Sequence, residues 1–287
     1  MERGAVLVAG CGYVGAALAD RLVRAGRRVY GLTRSERSLP DGVLPIRADL
    51  GDLAALRAAV PGDVEAIAYT AAASGRTEDD YRAIYVRGLA NTVDVAIARG
   101  ATRVLFTSST AVYGQDDGSW VDEASPATPT RFTGAVLLEA ERLLSSAPMA
   151  TASLRLAGIY GPGRTWLVRR VAAREAKVAP KDAPPLYGNR IHRDDCAGAL
   201  AHLLALEALA DAYVGVDDDP APLSDVHAFV ASILGVTLEE GVVGEGRGGN
   251  KRCRATALRA SGWRPEVPSY RDGYPAIVEA WRAQAGA

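Results

Sequence analysis

The sequence predicts an α/β fold built on a doubly wound parallel sheet. Three observations carry that prediction. Short apolar runs alternate with amphipathic helical stretches from Val6 to Ala157, and strands alternating with helices imply parallel pairing and right-handed crossovers. The first apolar run ends in a glycine turn that opens a helix. No stretch approaches the roughly 18 uninterrupted apolar residues of a membrane span.

The elements follow in order along the chain. Val6-Leu7-Val8-Ala9 reads as a short buried strand. The helix after it runs to about Ala25, with Val14, Leu18, Leu22 and Ala25 at helical spacing and Gly26 closing it. Arg28 to Leu32 is a second strand, and Leu44 to Ala48 a third. Leu53 to Val60 is a short helix ended by Pro61, and Ala66 to Thr70 a fourth strand. Tyr81 to Arg99 is a long helix with Gly100 at its end, and Val104 to Ser108 a fifth strand. Thr133 to Ser145 is a further helix, and Ala150 to Ala157 a further strand. After Gly163 the rhythm breaks. Pro180, Pro184 and Pro185 make Ala179 to Gly188 loop or turn. Asp217-Asp218-Asp219-Pro220 is a second break, read as a solvated turn. Short helices and a Gly-rich segment from Gly241 to Gly249 follow. Residues 1–160 are therefore expected to form the nucleotide-binding domain, with later segments near 189–215 returning to it. Residues 161–287 are expected to form a smaller, substrate-side lobe.

Composition narrows the function classes. The chain has 287 residues, is 48% hydrophobic and 23% charged, and carries a net charge of −1. No strong field favours nucleic acid or an anionic membrane surface, so neither is expected as a partner. Three scattered cysteines, Cys11, Cys196 and Cys253, make no disulfide framework and no zinc pattern. A reduced, cytoplasmic protein with a small-molecule substrate and no metal is expected.

Gly10-Cys11-Gly12-Tyr13-Val14-Gly15 is Gly-x-Gly-x-x-Gly placed between a strand and a helix, the context that gives the pattern its meaning. Gly10 permits the tight turn, Gly12 lets the backbone approach a pyrophosphate, and Gly15 lets helix and strand pack closely. The helix N-terminus offers free amides and a partial positive charge. This is the Rossmann-type dinucleotide site. The end of the second strand selects the cofactor. An NAD site places Asp or Glu there, but Gly31-Leu32-Thr33-Arg34-Ser35 holds no acid. Arg34 can fork onto a 2′-phosphate and Ser35 can add a hydroxyl, with Arg37 as a helper. NADP is therefore expected over NAD, which remains the alternative.

Further segments give these residues a family. Ala48-Asp49-Leu50, Ala71-Ala72-Ala73, Phe106 to Gly114, Leu154 to Gly163, Ile191 to Ala197 and Leu258 to Pro265 occur in that order. In this set the chain resembles the extended short-chain dehydrogenase/reductase superfamily, its NAD-dependent epimerase/dehydratase group, from about Val6 to Tyr274. The resemblance implies that Asp49, beside Leu50, bonds the adenine amine and that Ala71 and Ala72 pass under the cofactor. It implies that Ser108 and Ser109 end the active-site strand, that Ser109 steadies the substrate oxygen, and that Gly158 and Ile159 lie beside the nicotinamide. A homodimer through the helices at Tyr81 to Arg99 and Thr133 to Ser145 follows by analogy.

The departures matter as much. The family uses a Tyr acid/base with a Lys four residues later; aligned here, those positions hold Thr133 and Leu137. Threonine has no useful acidity near neutral pH and leucine no charge. Tyr85 and Gly158 stand where the family usually has Asn. With Ser109 retained, the proton donor is Tyr113, a water or the substrate. His192 reads as a buried histidine bonded to backbone, and Asp194 and Asp195 as N-caps of the following helix. Lys251, Arg252 and Arg254 form a cationic cluster that is either an anion site or a solvated turn. Trp120, Tyr187 and Trp263 read as packing. Three functions remain open: an oxidoreductase or epimerase-like enzyme on a small, phosphorylated or nucleotide-linked substrate; a non-catalytic NADP(H)-binding redox sensor; and a lyase or isomerase in which the cofactor is structural.

Overall fold

The computed structural model describes residues 4–244 and 248–285. Seven strands form the central sheet: β1 (Ala5–Ala9), β2 (Val29–Thr33), β3 (Leu44–Arg47), β4 (Val64–Tyr69), β5 (Arg103–Ser109), β6 (Ala150–Leu156) and β7 (Ala212–Gly215). They lie in the order β3-β2-β1-β4-β5-β6-β7, and every neighbouring pair is parallel. Strand order reverses between β1 and β4, the switch point at which such sheets bind ligands. Every residue of β1 is at most 1% exposed. That is why it reads as a continuous apolar run rather than an alternating one.

The helices that frame the sheet are α1 (Tyr13–Arg24), α2 (Leu53–Ala59), α3 (Glu78–Tyr81), α4 (Leu89–Arg99), α5 (Phe132–Ser145), α6 (Trp166–Ala172) and α7 (Arg193–Ala205). The single helix expected at Tyr81 to Arg99 is longer and interrupted. It starts at α3, capped by a reciprocal Thr77–Asp80 box, and passes through a π-helical stretch, Arg82–Gly88, before α4. Gly100, with φ +70°, closes it. Such π turns concentrate at functional sites, and Tyr85 sits inside this one.

Residues 190–216 return to the first core: α7 packs on α1, and β7 extends the sheet beside β6. The N-cap of α7 is His192, whose Nδ1 accepts from the Asp194 amide at 3.4 Å. The expected carboxylate capping is corrected on that point. Asp195 instead points across the chain and accepts the amides of Glu266 and Val267 at 2.6 and 3.1 Å, joining α7 to the segment before the last helix. A second apolar cluster, with Val168, Val171, Val226, Val230, Tyr270 and Ile277, forms the smaller lobe. It is built from α6, α8 (Leu223–Leu234) and α10 (Tyr270–Ala285), while α9 (Thr256–Ala260) packs against β7.

The Asp217–Asp219 run is a solvated turn only in part: Asp218 is exposed, but Asp217 is buried. Asp218 pairs with Arg259 and Asp219 with Arg271, while Asp217 is 3% exposed and its Oδ2 has no partner among the described residues. Burial pushes the Asp217 carboxyl from an ordinary 3.8 up to about 8, against the pull of Arg190. A carboxyl whose pKa is raised by folding stabilises the fold while protonated and penalises it once ionised. Its contribution is therefore lost as pH rises from about 4 to about 8. Asp217→Asn should flatten that part of the pH dependence, read by thermal melts in matched buffers. Parallel Tm–pH curves for the two chains would contradict the assignment.

Candidate active site

A cleft of about 480 Å³ opens at the carboxyl ends of the central strands. Its floor is the glycine turn between β1 and α1. Gly10 has φ +92°, and a methyl group placed on it would lie 2.4 Å from the Ala71 backbone. A methyl on Gly15 would lie 2.5 Å from Thr70 Oγ1 and 2.6 Å from the Gly10 carbonyl. Both positions are closed to any side chain because β1, β4 and α1 converge there. Thr70 Oγ1 donates to the Gly10 carbonyl at 2.9 Å, which ties the turn to the end of β4. A methyl on Gly12 would meet only ordinary contacts, Arg37 Nη1 at 3.7 Å and the Gly10 carbonyl at 3.8 Å. Among the described residues no side chain caps α1, and no acid lies in its first turn. Its amides and partial positive charge thus face the cleft, as a bound pyrophosphate needs. These residues fit a dinucleotide.

Twelve of the fourteen residues expected to hold the cofactor line this cleft: Gly10, Gly12, Tyr13, Val14, Arg34, Ser35, Asp49, Leu50, Ala71, Ala72, Ser108 and Ile159. Gly15 lies behind the turn, in the packing just described. Gly158 lies outside the lining, its amide donating to the Asn189 carbonyl at 3.1 Å. At the β2 end Arg34, Ser35 and Arg37 all face the cleft, while Glu36 does not line it. Asp49 is held in place by accepting the Gly51 amide at 2.8 Å. Cys11 is buried, and burial pushes its thiol up to about 11, the wrong direction for a nucleophile.

The two catalytic candidates part company. Ser109 lines the cleft, and its Oγ accepts the Ala111 amide at 3.2 Å. That bond leaves the hydroxyl proton free to donate to a substrate oxygen. Tyr113 does not line the cleft. It is 2% exposed, and its hydroxyl accepts from Arg155 Nη1 at 2.8 Å. Arg155 is in turn bound by Glu141 at 2.7 Å, and Glu141 accepts from Ser108 Oγ at 2.5 Å. Burial pushes the Tyr113 phenol up to about 12. The acid/base role considered for Tyr113 is corrected on this geometry: the ring is part of a buried network that braces β5 against β6 and α5. Tyr160 is likewise buried, bonding the Ser269 carbonyl.

Two cleft residues were legible in the sequence only as a departure or not at all. Tyr85, at the family's Asn position, lines the cleft from the π-helical stretch, and its hydroxyl accepts the Ala73 amide at 3.4 Å. Arg164 enters from the loop after β6. It bonds the Ile159 carbonyl at 2.8 Å and lies 4.2 Å from the centre of the Tyr13 ring. Its only sequence sign is its place directly after Gly161-Pro162-Gly163. Tyr13 donates its own hydroxyl proton to the Pro162 carbonyl at 2.9 Å. Leu137, at the family's Lys position, is 5% exposed, so hydrocarbon fills that site.

Fold, glycine turn and cleft together define a nucleotide-binding α/β protein of the short-chain dehydrogenase/reductase kind. A model of the NAD dependent epimerase/dehydratase family matches residues 6–212, and the chain belongs to that family. Its relatives include reductases and epimerases, and the family binds NAD(P). The chain is 31% identical to a 2-alkyl-3-oxoalkanoate reductase of Stenotrophomonas maltophilia (strain K279a), over 79% of this chain and 75% of that protein. Among solved structures it resembles a putative NAD-dependent epimerase/dehydratase from Methylobacillus flagellatus. That likeness has TM-score 0.81 and 34% identity, and covers 98% of this chain and 100% of the other. It shares its fold with the UDP-glucose 4-epimerase of Thermus thermophilus solved with NAD. There TM-score is 0.78 at 24% identity, covering 96% and 98% of the two chains. No helix among the described residues is long and apolar enough to cross a membrane.

Proposed function

We propose that this chain is an NADP(H)-dependent reductase of a carbonyl group on a small molecule. The observation that carries the reading is the set Arg34, Ser35 and Arg37 facing the cleft at the end of β2, where an NAD site holds an acid. Two guanidinium groups and a hydroxyl suit a 2′-phosphate. In this reading the α1 amides would hold the pyrophosphate, Asp49 and Leu50 would border the adenine, and Ile159 and Leu156 would wall the nicotinamide end. The 31% identity to a protein named as a 2-alkyl-3-oxoalkanoate reductase supports carbonyl reduction as the chemistry.

When bound, NADPH supplies a hydride to the carbonyl carbon. Ser109 donates its hydroxyl proton in a hydrogen bond to the carbonyl oxygen and holds the group in place. As negative charge grows on that oxygen, a proton must reach it. Tyr113 lies outside the cleft, and Tyr13 uses its proton on Pro162. Tyr85 accepts from the Ala73 amide and keeps its proton for the cleft. Tyr85 is therefore assigned as the donor, recharged from water in the open cleft.

The test is transfer of deuterium from C4-labelled NADPH to a panel of small aldehydes, ketones and oxo acids. Ser109→Ala and Tyr85→Phe should each slow transfer by between about 10² and 10⁴ while NADPH still binds; Tyr113→Phe should leave it near the parent rate. Tyr85→Phe at the parent rate would remove Tyr85 as donor. Tight NADPH binding with no transfer to any carbonyl would favour the second reading, a redox sensor. That alternative rests on Thr133 and on the hydrocarbon at Leu137.

A further inference from the structure

The cationic cluster of the smaller lobe is split by the fold. Arg252 stacks on Trp120 and Tyr187, at 5.0 and 4.7 Å from the ring centres, and Arg254 lies 4.4 Å from the Trp120 ring. Lys251 turns inward. It is 1% exposed and lines a second pocket of about 110 Å³ with Tyr113, Asp116, Arg131, Thr133 and Gly249. Thr133, the residue at the family's Tyr position, is thus a wall of this pocket. So is Ala111, whose amide bonds Ser109 Oγ. One turn of chain separates the pocket from the reacting end of the cofactor cleft.

The pocket is built for negative charge in three independent ways. The Lys251 ammonium donates to the Gly248 carbonyl, and among the described residues it makes no ion pair. A buried cation held by one carbonyl is costly unless a counter-charge joins it. Arg131 is exposed at the rim, and among the described residues its guanidinium makes no hydrogen bond or ion pair. The 14-residue helix α5 begins at the pocket with Arg131 as its N-cap and no side-chain cap. The amides of Phe132 and Thr133 are therefore without an intrahelical partner. Among the described residues Asp116 is the one acid in the lining; it accepts the Asn250 amide and lends Lys251 part of a counter-charge without forming an ion pair with it.

We infer that the pocket enclosed by Lys251, Arg131 and the N-terminus of α5 binds an oxyanion of the substrate, a carboxylate or a phosphate, and so presents the neighbouring carbonyl to Ser109. A pocket of about 110 Å³ has room for the oxyanion itself. The substrate class that fits it together with the reductase reading is a small oxo acid or a phosphorylated carbonyl compound. The substrate assignment rests on the reductase reading; the anion site does not.

Isothermal titration with inorganic phosphate and, separately, with acetate tests it, on the chain saturated with NADPH so that the glycine turn cannot take the ion. At least one ion should bind, and Lys251→Met and Arg131→Ala should each weaken it by roughly tenfold or more with NADPH affinity unchanged. Binding of phosphate alone assigns a phosphorylated substrate, and of acetate alone a carboxylate. No binding of either ion, or binding that neither substitution weakens, overturns the site. Arg131 is exposed, so its variant reads out even if Lys251→Met misfolds. Failure of NADPH to bind would count against the reductase reading only, since the Lys251-dependent part of the isotherm reads the pocket with or without cofactor.

Discussion

Replacing Arg34 and Arg37 together by alanine is expected to weaken NADPH binding by roughly 100-fold while leaving NADH within about threefold. A charge-assisted hydrogen bond contributes about 1.5–3 kcal/mol, and two would exceed 100-fold if both were shielded. Both arginines are exposed, and solvent and salt screening reduce each contribution. The reduced figure is therefore the one expected. Arg37 also reaches over the glycine turn, so its single variant should reduce NADH binding slightly as well, whereas Arg34→Ala should not. Raising ionic strength should narrow the NADPH–NADH gap in the parent chain and change little in the double variant. Fluorescence titration of the four chains checks each of these expectations. Unchanged NADPH affinity in the double variant would remove the β2 end as selector.

Glu141→Ala is expected to be the most destabilising single change near the site, by roughly 3–5 kcal/mol. Glu141 accepts from Arg155 Nη2 at 2.7 Å and Nε at 3.1 Å, and from Ser108 Oγ. Both members of the pair are buried. Truncating one leaves the Arg155 cation without its counter-charge in a poorly solvated place, and the desolvation already incurred is no longer offset. Replacing both members with apolar residues of similar volume, Glu141→Leu with Arg155→Met, should recover much of the loss because no charge is then stranded. Tyr113→Phe removes only one hydrogen bond and should cost about 1 kcal/mol. Urea denaturation gives all three values. A Glu141→Ala cost below about 1 kcal/mol would mean that the network does not brace β5 against β6.

Local features were legible in the sequence and long-range ones were not. The β1 run, the glycine turn and α1 were readable because strand, turn and helix each leave a mark within a few residues. The shortage of acid at the β2 end was readable for the same reason. The π-helical stretch was not, since a shift of hydrogen bonding from i−4 to i−5 changes no residue pattern. Strand β7 is four residues long, Ala212–Gly215, and only its pairing with β6 distinguishes it from loop. Asp195 looked like a cap because its neighbours are helical; its partners lie 71 and 72 positions away. Asp217 looked solvated because it stands in an acidic run, yet the smaller lobe closes over it. The same reason explains Tyr113. Its motif places it beside Ser109, but Arg155, 42 positions on, decides where its hydroxyl points.

That the cleft is an NADP(H) site serving carbonyl reduction is tested most directly by fluorescence titration of the parent chain with NADPH and with NADH in one buffer. NADPH binding tighter than NADH by at least about tenfold is the predicted result, as a single 2′-phosphate bonded by two arginines requires. Equal affinities, or tighter binding of NADH, would contradict it.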